Sequence, residues 1–274
     1  ITSATPTSLG ITVPTVMGGR VSVETSVGSA TNRPDLYIVP RLPSSYPVSS
    51  VAWTGRTTLD SGMPVTIGTA GTLGLLLVDG SAGDGMSLRV TGSTIADVHY
   101  WVYAPDGNII RDGGSYFPDG TGYIDSVALP RTGTYTVSIV PSLNYVGTLS
   151  LTPVRDVSGA ITPNGGSTPV TITSPGQAAR FTFNGVAGAL VSAQAQGFSG
   201  CSDFGLTILK PDGSALARGS ASCMPSASTG QIALPATGTY TVVFDPDYAA
   251  VGTGSLSVSS FGTLSAAALA AEPR

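Results

Sequence analysis

One stretch occurs twice in this chain, as Leu129-Pro-Arg-Thr-Gly-Thr-Tyr-Thr-Val137 and as Leu234-Pro-Ala-Thr-Gly-Thr-Tyr-Thr-Val242. Each copy reads as a Pro/Gly-punctuated turn feeding a strand in which hydroxyl and apolar side chains alternate. The copies lie about 100 residues apart, the length of one β-sandwich domain. A chain built on such a repeat is expected to be all-β. No signal of comparable strength points to a reaction or a ligand.

The same stretch contains LPxTG, the pattern that a transpeptidase cuts when it anchors proteins to a bacterial wall. That reading needs an apolar membrane-length segment and a basic tail after the motif, at the extreme C-terminus. Here each copy runs straight on into Thr-Tyr-Thr-Val, inside a strand. The expectation is therefore structural: Pro fixes φ, and Gly permits the turn before the strand.

Composition agrees with short strands and many turns. Among 274 residues there are 36 Gly and 20 Pro, while charged residues make up only 10%. Mean hydropathy of +0.27 argues against disorder and for a sizeable core. With a net charge of −4 and no basic run, the chain offers nothing to grip a phosphate backbone, so nucleic acid is not an expected partner. The longest apolar run, Leu73-Gly-Leu-Leu-Leu-Val78, is too short for a membrane span. The chain starts at Ile1 without a Met, which is expected of a processed or excised segment. The two cysteines, Cys201 and Cys223, bracket the Leu206–Leu209 strand and the Lys210-Pro-Asp-Gly213 turn, as if closing a hairpin. They are expected to form a structural disulfide stabilising by about 3 kcal/mol in the chain-entropy model. Few lysines, abundant Thr, Ser and Gly, and that bridge point to an extracellular protein.

The repeat extends well beyond its central motif. Pro64-Val-Thr-Ile67 matches Pro169-Val-Thr-Ile172, Gly71 matches Gly176, and Leu76 and Val78 match Phe181 and Phe183. Ala104-Pro-Asp-Gly107 parallels Lys210-Pro-Asp-Gly213, a strong hairpin signal. Val146-Gly-Thr148 and Val251-Gly-Thr253 each lead into a last strand. Two complete antiparallel sandwiches are thus expected at 61–157 and 158–262, with Asp156-Val-Ser-Gly159 as the short linker and 263–274 as a tail. Residues 1–60 resemble a third, incomplete copy that lacks a counterpart of Pro64–Ile67. A sandwich without that edge strand exposes unpaired backbone groups, so either the parent polypeptide is cut here or a neighbour supplies the strand; if residues 1–274 are a whole subunit, strand donation is expected to build a head-to-tail filament unless the rotation closes a ring. Either Ile1–Leu9 or the tail from Phe261 would be the donor.

Pro175-Gly-Gln-Ala-Ala-Arg-Phe-Thr-Phe183, Ala187-Gly188, Leu209-Lys-Pro-Asp-Gly213 and Leu234–Val242 together resemble a bacterial secreted β-sandwich module. The resemblance is to the pre-peptidase C-terminal type and its relatives, which occur in tandem in large surface proteins, including those with YD (RHS-type) repeats. It implies a jelly-roll-like antiparallel sandwich that accompanies other functions and is not itself catalytic. The family supplies no motif of functional residues to place on this chain.

Catalytic chemistry has little to work with. His99 is the only histidine, and no G-x-S-x-G elbow offers it a nucleophile. One His and two Cys make no tetrahedral zinc set. Asp245-Pro-Asp247 and Asp119-Gly-Thr-Gly could each lend oxygens to Ca²⁺, but neither matches a known calcium loop, and Asp in such turns usually bonds its own backbone. No catalytic, cofactor or metal residues are assigned. Tyr100, Trp101, Tyr103 and Tyr116, with Phe117 and Tyr123 nearby, could form a platform for sugar rings; the competing expectation is core or inter-domain packing. The function expected from sequence is a non-catalytic structural module of a bacterial extracellular or cell-surface protein, a stalk, spacer or fibre subunit. The alternative is an adhesive or carbohydrate-binding module, with glycans as partners rather than other copies or neighbouring domains.

Overall fold

The computed structural model describes residues 2–5, 9–10, 12, 18–26, 28–31, 35–37, 46–116, 119–142, 145–199, 203–221, 226–247 and 249–263. The class is all-β, as expected. In the first fifty residues β1 (Ser3–Ala4) pairs with β2 (Leu9–Gly10) and β3 (Ser22–Thr25) with β4 (Gly28–Thr31), both antiparallel. Gly19 and Leu36 form an isolated bridge, and Val48–Ser50 makes a single 3-10 turn.

The next nine strands are β5 (Val51–Thr58), β6 (Met63–Ile67), β7 (Leu73–Gly80), β8 (Gly85–Thr91), β9 (Asp97–Tyr103), β10 (Ile109–Tyr116), β11 (Gly122–Ala128), β12 (Gly133–Pro141) and β13 (Gly147–Arg155). They form a five-stranded sheet ordered β10-β9-β12-β7-β5 and a four-stranded sheet ordered β11-β8-β13-β6. The chain continues through β14 (Val157–Ala160), β15 (Thr168–Ile172), β16 (Ala179–Gly185), β17 (Ala189–Gln196) and β18 (Phe204–Leu209). It ends with β19 (Ala215–Ala221), β20 (Ser226–Ser228), β21 (Ile232–Ala233), β22 (Gly238–Pro246) and β23 (Gly252–Thr263). Their sheets repeat the first pair: β19-β18-β22-β16-β14 and β20-β17-β23-β15, with the short β21 also on β17.

Two features depart from the sequence reading. Val51–Thr58 lies before the border expected near residue 60, yet it is an edge strand of the five-stranded sheet, parallel to β7. Likewise Val157–Ala160, within the expected linker, is a strand parallel to β16. The cause is topological. A parallel pair needs a crossover connection, and here β6 and β15, lying in the opposite sheets, supply it. Each otherwise antiparallel sandwich therefore carries one parallel edge. Pro64 and Pro169 sit on the other edges, β6 and β15, where a missing N–H breaks no ladder and discourages stray pairing.

By compactness the chain divides into two units. The first comprises Ile1–Gly83, Val90–Thr121 and Leu129–Leu151; the second comprises Asp84–Arg89, Gly122–Ala128 and Thr152–Arg274. In the first, the outer face of the five-stranded sheet is not left to solvent. Leu73, Leu75 and Val140 are buried there, with Tyr37, Tyr46, Val51 and Trp101 packed on them. Arg56 of β5 pairs with Asp35 at 3.1 Å and with Asp79 at 2.6 Å, tying the same N-terminal segment to the sheet.

In the second unit strict alternation builds the core. Val170 and Ile172 of β15, Phe181 and Phe183 of β16, Phe204, Leu206 and Ile208 of β18, and Tyr240, Val242 and Phe244 of β22 all point inward. Phe244 packs against Phe204 and Phe198 with ring centroids 5.0 and 5.1 Å away. Each such large side chain removed from water contributes about 1.5–3 kcal/mol. β23 runs on to Thr263, so Phe261–Thr263 belong to a strand; residues 264–274 of the expected tail lie outside the described residues.

Candidate functional site

The repeated LPxTGTY segments are corners, and almost every side chain in them has a structural partner. The Tyr135 hydroxyl donates to the Arg131 carbonyl at 2.5 Å and accepts from the Arg131 N–H at 3.1 Å. Tyr240 bonds Ala236 in the same way, at 2.7 and 3.2 Å. This is the tyrosine corner of sandwich domains, in which a buried ring sends its hydroxyl back to the turn that precedes it. Leu129 and Leu234 are buried, and their carbonyls accept from the N–H groups of Gly83 and Gly188. The hydroxyls of Thr132 and Thr237 accept from the N–H groups of Ala82 and Ala187, each at 3.0 Å. A Cβ on Gly133 or Gly238 would stand 2.8 or 2.7 Å from Cγ of Pro105 or Pro211. The Gly of one motif is thus the seat for the Pro of the Pro-Asp-Gly hairpin. A peptide tied in this way is not presented as an extended substrate.

Strand alternation separates the aromatic candidates. In β9, Val98, Tyr100 and Val102 face the core, while His99, Trp101 and Tyr103 take the other face. Tyr100 is fully buried and Tyr103 is 2% exposed, so neither offers a ring to a sugar; burial raises both phenol pKa values. Trp101 is half-buried on Leu73, Leu75 and Val140, with the His99 ring 4.0 Å away, tilted by 34°. Nε2 of His99 lies 2.5 Å from Oδ1 of Asp112, and both side chains are exposed. Tyr116 closes β10 opposite Asp97; its side chain, Phe117, Cys201 and Cys223 lie outside the described residues. The expected disulfide falls there too.

Aspartates in the turns serve the turns. Asp119 accepts from the N–H and hydroxyl of Thr121, and Asp212 from the hydroxyl and N–H of Ser214. These bonds hold both carboxyls below the usual range. Asp106 is lowered likewise, first by the Asn108 N–H and then by Arg131. Among the described residues no group of three or more His, Cys, Asp or Glu side chains could hold a metal ion.

The most heavily engineered polar site is one the sequence reading missed. Asp156, with a side chain 1% exposed, lies between β13 and β14. Its carboxylate accepts from Arg180 Nε at 2.7 Å, from the Ser126 hydroxyl at 2.6 Å and from the Ala178 N–H at 3.1 Å. Its own N–H donates to the Gly85 carbonyl. Only a glycine fits at 85: a Cβ there would lie 2.4 Å from the Asp156 carboxyl carbon and 2.5 Å from Arg180 Nε. Alongside, the Ser126 N–H donates to the Gly176 carbonyl. Asp245 is pushed up to about 6, first by burial, then by the charges of Asp125 and Asp156, with Arg180 opposing and Asp247 adding to the rise. Burial likewise raises Asp156.

No protein-family model matches the chain, and no curated protein matches it. Among solved structures, the pre-peptidase C-terminal domain of a Bacillus anthracis collagenase is similar over 36% of this chain and 93% of its own, at 11% identity and a TM-score of 0.30. The Aeromonas hydrophila periplasmic inhibitor of g-type lysozyme covers 36% of this chain and 98% of itself, at 17% identity and a TM-score of 0.25. A Clostridium perfringens ZmpB structure, an M60 catalytic domain with two CBM51 domains, covers 93% of this chain and 42% of its own, at 9% identity and a TM-score of 0.26. No helix among the described residues is long and apolar enough to cross a membrane.

Proposed function

We propose that the chain is a non-catalytic structural part of a bacterial extracellular or cell-surface protein, a stalk or spacer made of repeated sandwiches. The observation that carries this reading is the repeated topology, with the same corner rebuilt in each copy from Leu, Thr, Gly and Tyr. Four of the aspartates serve structure: Asp119, Asp106 and Asp212 bond within their own turns, and Asp156 is locked to Arg180. Its partners are then neighbouring domains or further copies of the chain. Strand addition between copies would show as filaments in electron micrographs of concentrated protein; single particles would leave a plain stalk.

A second reading, glycan binding, rests on the pairing of Trp101 with His99 beside the exposed carboxylate of Asp112. Aromatic faces with adjacent acceptors suit sugar rings. A glycan array separates the two. The structural reading expects no reproducible binding by the wild-type chain. Binding that is lost in Trp101→Ala, with the fold intact by circular dichroism, would replace it.

A further inference from the structure

Within the second unit the loop between β15 and β16 is seated on strands from earlier in the chain. The Gly176 carbonyl accepts from the Ser126 N–H of β11 at 2.9 Å, and the Gln177 side-chain amide donates to the Arg155 carbonyl of β13 at 2.7 Å. A Cβ on Gly176 would lie 2.6 Å from Cδ2 of Tyr123, so the loop tip is pressed too closely onto β11 to carry a side chain. Ser174 and residues 176–179 are buried. On β13 the period of two puts Thr152 and Val154 on the face opposite Leu149 and Leu151, yet both are buried there, as is Asp156 beyond them.

The repeat supplies both halves of this joint a second time. The register that matches Pro64 with Pro169 and Gly71 with Gly176 makes residues 68–72 the counterpart of the seated loop. Gly71 has the φ of Gly176, +73°, but no described residue comes within 4 Å of a Cβ placed on it, and residues 68–71 are exposed. At the other half, β23 holds the place of β13, since Gly147 pairs with Ile67 and Gly252 with Ile172. Thr152, Val154 and Asp156 thereby correspond to Ser257 and Ser259, both half-buried, and to Phe261, which is 52% exposed. Leu190 of β17, the counterpart of Gly85, lies beside Phe261 where the β17–β23 register shifts, and is also only half-buried. The acid of the joint has become a phenylalanine here, and the counterpart of Arg180 is Leu75, so neither half keeps its charge. Leu75 is buried, in a cluster on which Tyr37 and Tyr46 pack, which leaves the loop tip to make any contact.

We propose that the outer face of β23 around Leu190 and Phe261 receives residues 68–72 of a second copy, so that copies associate head to tail by repeating the joint made by the β15–β16 loop. This rests on the structural reading above and names its partner surface. Phe261 and Leu190 lose water against Gly71, Ala70 and the threonine methyls of the loop. A contact between two different surfaces propagates into an open row unless the rotation closes a ring.

Sedimentation of the full chain tests this. The wild type is expected to associate reversibly as its concentration rises towards about 1 mM. Phe261→Asp alters an exposed side chain, and Gly71→Asn places a side chain at a left-handed position that asparagine tolerates, so both should keep the fold by circular dichroism. Each should weaken association about tenfold or more. An equimolar mixture of the two variants should form a dimer and stop there, because each partner retains one intact surface. A wild type that stays monomeric over the same range would overturn the proposal and leave a plain stalk; the stalk reading itself falls only to glycan binding. Association unchanged in both variants would also overturn it, as would a mixture no more associated than its components.

Discussion

Arg180→Met is expected to lower the unfolding free energy at pH 7 by about 3–5 kcal/mol, the cost typical of stranding one partner of a buried ion pair. Asp156 cannot escape to water, because its side chain is 1% exposed. It would keep the bonds from Ser126 and Ala178 but lose its guanidinium partner. The deficit should shrink as pH falls, since an unpaired buried carboxylate is then protonated. The double variant Asp156→Asn/Arg180→Met should be less damaged than Arg180→Met alone, because the amide oxygen can still accept from the Ala178 N–H while the amide NH2 donates to the Ser126 hydroxyl, with no net charge. Chemical denaturation of the three proteins measures this. A loss below about 1 kcal/mol for Arg180→Met would mean that the ion pair contributes no more than a surface one.

The tyrosine corner gives the other large effect. Tyr240→Ala should cost about 3–5 kcal/mol, as expected when a large buried ring leaves a cavity. The ring is fully buried and lies 5.5 Å from that of Phe183. Tyr240→Phe isolates the hydroxyl. It keeps the ring but frees both the N–H and the carbonyl of Ala236, at a cost of about 1–2 kcal/mol. Tyr135→Phe should behave alike, because Arg131 stands where Ala236 does and the bonds are the same. Denaturation midpoints unchanged in both Phe variants would remove the corner from the account of the motif.

The corner and the hairpins were legible because their signals are local. Pro, Gly and Tyr at fixed offsets dictate a turn and the strand after it, and repetition doubles the signal. The parallel edges were not. Val157-Ser-Gly-Ala160 has too few residues and too little apolar alternation to announce a strand, and its pairing with Ala179–Thr182 is decided by the crossover through β15. Trp101 and Tyr100 could have been separated by the period of two in β9, which sends adjacent rings to opposite faces. The burial of Tyr103 on the outer face could not be read that way, since it depends on what packs over that face. Nor could the Asp156 site. Arg180, Ser126 and Gly85 are remote in sequence, and a lone Asp in a presumed linker carries no motif.

Pulling single molecules by their two ends asks whether two copies of one sandwich lie in series along the chain. Each copy holds about 100 residues, so its unfolding should release about 350 Å of contour length at the reach of an extended chain. The expected record contains two rupture events of nearly equal length. One event that releases the whole β-rich chain at once, or a series of unequal small steps, would contradict a stalk of repeated sandwiches.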